Sequence, residues 1–70
     1  MICLVQTDTA AVMFLPSLDR VQLHTKFGGV WEVGHGKDIP AGMSPGVAAE
    51  YMVAFMSGDL THEQYNEALP

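Results

Sequence analysis

The sequence predicts an α+β fold: a small antiparallel sheet of three or four strands within residues 1–34, packed on one main helix at 45–57, with a short C-terminal helix at 61–69. Three observations predict it. Short apolar or alternating runs fill the first half of the chain. A glycine pair, Gly28-Gly29, separates two of these runs. The second half carries paired helix start and stop signals.

The strands come first. Ile2 to Gln6 is an apolar run of strand length. Thr7-Asp8-Thr9 then supplies side chains that bond nearby backbone groups, the chemistry of a turn. Ala11 to Leu15 is a second run, stopped at Pro16, which has no N–H to give a ladder. Arg20 to Phe27 alternates, with Val21, Leu23 and Thr25 on one side and Arg20, Gln22 and His24 on the other. Val30 to Val33 is a fourth candidate strand. Gly28-Gly29 fits a type I′ hairpin, whose two central residues both need φ > 0. That turn sets Phe27 opposite Val30, Lys26 opposite Trp31 and His24 opposite Val33. Trp31 then falls on the more polar face, away from the main helix, with Lys26 stacked on it; a bulged turn would reverse the faces. Gly34 to Gly42 reads as a loop joining sheet to helices.

The helices follow. Ser44 is a good N-cap, Pro45 suits the first helical position and Gly58 suits the residue that closes a helix. Thr61 and Gln64 have the spacing of a capping box, with Tyr65, Ala68 and Leu69 as the apolar stripe of the helix they start. The main helix is apolar on two sides. Val47, Tyr51, Ala54 and Phe55 form one stripe and Ala49, Met52, Val53 and Met56 another, with centres roughly 165° apart. The first stripe is assigned to the sheet. The short C-terminal helix is expected to shield one or two residues of the second through Tyr65 and Leu69. The rest is left for another chain, a copy or a partner, and methionine suits an adaptable interface.

Composition narrows the function. Seventy residues make one domain, 1–70, and a single cysteine, Cys3, permits no internal disulfide. A reducing, cytoplasmic setting is expected. No apolar run approaches the ~20 residues of a membrane-spanning helix, and no basic residue precedes Arg20 as a secretory leader requires. The net charge is −5, and residues 38–70 hold no Lys or Arg. An acidic half repels phosphate, so direct nucleic-acid binding is not expected; it suits a basic partner surface, with Glu63 and Glu67 on one helix face as contacts.

No catalytic, cofactor or metal site emerges. Gly34-His35-Gly36-Lys37 lacks the spacing of a phosphate loop, because Trp31 stands where the first glycine belongs and Asp38 follows the lysine. His24, His35 and His62 with Cys3 match no compact zinc pattern. Cys3, in an apolar strand, is expected to be buried and inert. Asp59, Glu63 and Glu67 read as a solvated helix face. The expected function is a non-enzymatic protein-binding module, with Met52, Met56, Val53, Ala49, Trp31, Glu63 and Glu67 at the partner interface. In profile (tiny, acidic, motif-free, apolar surface to spare) the chain resembles small virus-encoded inhibitors of host enzymes, including those that handle nucleic acid. The alternative is an assembly subunit that self-associates through its main helix.

Overall fold

Four consecutive strands are each hydrogen-bonded to the next in the computed structural model, which describes residues 1–70. They are β1 (Ile2–Gln6), β2 (Ala10–Leu15), β3 (Arg20–Phe27) and β4 (Val30–Asp38), all antiparallel in the order β1-β2-β3-β4. Helices α1 (Pro45–Met56) and α2 (His62–Ala68) follow, so the chain is α+β.

Local chemistry places each junction. Thr7 Oγ1 accepts from the backbone N–H groups of Thr9 and Ala10 at 3.4 and 3.1 Å, closing the first turn. Pro16–Leu18 form one turn of 3-10 helix, ended by Asp19 at φ 50°. Gly28 and Gly29 have φ of 60° and 83°, and the pairs Phe27–Val30, Lys26–Trp31 and His24–Val33 stand in the register that a two-residue turn dictates. Ser44 caps α1 by accepting from Val47 N at 3.3 Å. The Thr61 and Gln64 box is closed in both directions at 3.1 and 2.9 Å.

Two bulges decide which side chains face the helices. In β1 the register shifts between Cys3 and Val5, so Leu4 and Val5 both pack against the core while Cys3 pairs with Met13 on the other face. In β4 the register shifts opposite Leu23, between the pairs His24–Val33 and Gln22–Gly36. One extra residue reverses the alternation. His35 and Lys37, which an unbroken strand would turn outward with Val33, are turned toward the helices. Gly34 to Asp38 is therefore strand rather than the loop expected of it, and the connection to α1 is only Ile39 to Ser44.

The core gathers Val12, Val21 and Leu23 from the sheet, Ala48, Ala49 and Met52 from α1, Tyr65 from α2, and Ile39 and Leu69 from the segments flanking the helices. This overturns the stripe assignment. Ala49 and Met52 were assigned to another chain, yet Met52 is 0% exposed inside its own fold. The reason is size: Ala48 and Ala49 let the helix backbone approach the sheet closely, which Tyr51 and Phe55 could not. Val47 is left exposed and Tyr51 half-buried, while Phe55 stacks on Tyr65. No helix is long and apolar enough to cross a membrane.

Candidate interaction surface

Both helices lie on one side of the sheet, so the other face is bare. Alternation and register put Cys3 and Gln6 of β1, Ala11 and Met13 of β2, Gln22, His24 and Lys26 of β3, and Trp31 and Val33 of β4 on that outer face. Cys3, Gln6, Ala11, Met13, His24 and Trp31 line an open depression of about 210 Å³. Val33, beside it, is 64% exposed and Trp31 is 39% exposed. Lys26 Nζ stands 5.9 Å from the centre of the Trp31 ring, the stacking that the hairpin register predicts. Such a pair contributes about 0.5–1 kcal/mol at an exposed site.

The hairpin tip adds to the surface. Phe27 and Val30 face the helix side of the sheet, but neither is covered, and Phe27 is 83% exposed. Phe27 and Val30 on one face and Trp31 and Val33 on the other thus leave apolar side chains exposed at the hairpin. A polar signal lies beside them. His24 Nε2 is shielded from solvent and has no hydrogen-bond partner. A buried orphan of this kind costs about 1–3 kcal/mol until something satisfies it.

Cys3 is exposed on this face rather than buried, because β1 is an edge strand and its bulge turns Leu4 and Val5, not Cys3, to the core. Its Sγ lies 3.6 Å from the Val5 carbonyl oxygen and 3.9 Å from Gln6 Oε1.

The other expected interface residues lie elsewhere. Glu63 and Glu67 are exposed on α2, across the sheet from Trp31, so one flat partner surface cannot touch both sets. Met56, 46% exposed, and half-buried Val53 line an apolar cleft of about 180 Å³ between the end of α1 and the first turn of the sheet. Ala49 and Met52 are core, as described above.

A second cluster was missed by sequence reasoning. His35 Nε2 and Tyr65 Oη are 2.9 Å apart. Phe55 and Tyr65 stack with ring centres 4.2 Å apart, and His35 and His62 both meet Phe55 edge-on. Lys37 donates to Asn66 Oδ1 at 2.9 Å and sits 5.1 Å from the Tyr65 ring centre. Burial first, then Lys37 and His62, holds the His35 pKa below its ordinary 6.5. Burial pushes Tyr65 up to about 12. Both groups are therefore neutral at pH 7, and their polar atoms serve each other. The cluster works as a clasp between β4 and α2. Its one sequence signal is Gly34-His35-Gly36, since glycines inside a strand mark bulges and close approach. A Cβ at Gly34 would lie 3.1 Å from the Leu23 carbonyl oxygen.

Comparison with known proteins gives one relationship. The model of the family described as Mycobacterium phage L5 gene 74 protein matches residues 8–70. No curated protein and no solved structure matches. The match spans nearly the whole chain, so the chain belongs to this phage protein family.

Proposed function

We propose that this phage protein is a non-enzymatic binding module that docks on a host protein through the outer face of its sheet and inhibits it. The bare face around Trp31 is the observation that carries the reading. A four-stranded sheet covered on one side only is ordinary when its outer face is polar. Here that face pairs a tryptophan with Val33, Met13 and a histidine whose Nε2 is shielded and unbonded. Tryptophan is enriched where binding energy concentrates. The action is placed in the host cytoplasm, without cofactor or metal and without direct contact to nucleic acid.

Capture from a mycobacterial lysate tests it. The immobilised chain should retain a specific protein that Trp31→Asp and Val33→Asp variants do not, and the purified partner should lose activity when the chain is added. Equal capture by the variants overturns the reading. Self-association through the main helix, the alternative, loses its footing where Ala49 and Met52 are core. A concentration-dependent dimer in sedimentation, abolished by Trp31→Asp, would transfer self-association to the sheet face instead.

A further inference from the structure

On its helix side, at the β1 edge, the sheet borders an open groove of about 510 Å³ that runs between β1 and α1. Leu4 and Val5 line it from the strand and Val53 and Ala54 from the helix, all four half-buried. Two exposed carboxylates flank these walls, Glu50 within α1 and Asp59 just past its end. Neither has an ionic partner, because the one salt bridge of the chain joins Arg20 to Asp38. The two lysines are engaged elsewhere. Lys26 stands over Trp31 on the outer face, and Lys37 donates to Asn66 beside β4, at the opposite edge of the sheet.

We propose that this groove receives an extended basic segment of a protein partner, with apolar side chains seated between β1 and α1 and Lys or Arg side chains on Glu50 and Asp59. The argument is charge complementarity, and the local and overall charges agree. Both charged groups at the groove are negative, residues 38–70 contain no Lys or Arg, and the chain carries −5. The field of the whole chain draws a basic segment in, and the two carboxylates give it fixed points of attachment. The same field turns away phosphate backbones and a second copy of this chain, which brings the same −5. The strand supplies the rest. β1 is an edge strand, paired with β2 alone, so its far side leaves backbone N–H and C=O groups free beside the groove. An extended peptide uses such groups for affinity and adjoining pockets for specificity. The bulge between Cys3 and Val5 keeps that pairing short. This groove is separate from the outer face around Trp31, and neither reading depends on the other.

The test titrates the whole chain with dye-labelled octapeptides bearing leucine at alternate positions and lysine, glutamine or glutamate between, read by anisotropy and by amide NMR shifts. The lysine peptide should bind roughly tenfold tighter or more than the glutamine peptide, with the glutamate peptide weakest, and salt should shrink the difference. Its shifts should centre on Leu4, Val5, Glu50 and Val53 and spare Trp31 and Val33. Glu50→Gln with Asp59→Asn should remove most of the preference. Glu63→Gln with Glu67→Gln, which changes the net charge equally but away from the groove, should keep it. All four are exposed changes whose fold circular dichroism verifies. Serine in place of leucine in the lysine peptide should abolish binding. The proposal is overturned by no binding or no preference for lysine, by equal loss in the two double variants, by undiminished binding of the serine peptide, by shifts centred on Trp31, or by tighter binding of a single-stranded oligothymidylate. Trp31→Asp should bind the lysine peptide as the parent chain does, so docking through the outer face stands or falls separately, on host-protein capture.

Discussion

Between Val30 and Val33 strand β4 carries apolar side chains left exposed, whereas from His35 to Lys37 the same strand holds α2 in place. Both halves bond to β3, and both are rich in side chains that could pack. What separates them is one inserted residue opposite Leu23. Before it, the outward positions carry Trp31 and Val33. After it, the positions facing the helices carry His35 and Lys37. One half is spent on the fold and the other is kept for the surface, and neither composition nor hydrophobicity distinguishes them.

The widest separation comes from truncating each half at its anchor. Tyr65→Ala empties a buried ring site, removes the stack on Phe55 and strands His35, and should cost about 3–5 kcal/mol, enough to unfold a chain of this size in urea denaturation. Trp31→Ala should cost less, about 1–2 kcal/mol, because the ring is 39% exposed and only part of its surface is held by the fold. Comparable losses from the two would erase the distinction.

Gly34→Val acts on the bulge itself. The added side chain presses on the Leu23 backbone, and a loss of about 1–3 kcal/mol is expected, with overpacking as the mechanism. Gly29→Val, at φ 83° in the tip, should cost about 1 kcal/mol or more and leave the His35–Tyr65 contact intact in NMR spectra.

Acidity sharpens the contrast further. His35 is held below its ordinary pKa, so the unfolded chain binds its proton first. Stability should fall as pH drops below about 6.5, and His35→Gln should flatten that slope in urea titrations. At the other extreme Tyr65, at about 12 in the fold, keeps a proton that the unfolded chain has lost. Stability should therefore fall as pH rises above about 10. The smallest effect belongs to Lys26→Ala, which removes a cation from an exposed ring and should cost about 0.5 kcal/mol by thermal melting.

The parts legible in the sequence were those set by short-range chemistry. Gly28-Gly29 fixed a turn and hence a register, and both caps named their helices. The helix face toward the sheet was illegible, because two stripes of equal hydrophobicity differ only in bulk, and close approach of backbones selected Ala48 and Ala49. Cys3 was misplaced because a bulge moves a side chain to the opposite face without changing the pattern that announces the strand, and His35 because the glycines beside it read as a loop where the chain forms a bulged strand.

The meander order of the sheet has a kinetic consequence. Each strand pairs with the one that precedes it in the chain, so every ladder closes a short loop. Sheets of such local pairing form quickly, hairpins within about 1–10 μs, because little chain entropy is lost before contacts form. The clasp of His35 on Tyr65 joins residues far apart in the chain and has to wait for α2. The face around Trp31 thus rests on local pairings alone, whereas the core behind it also needs the helices.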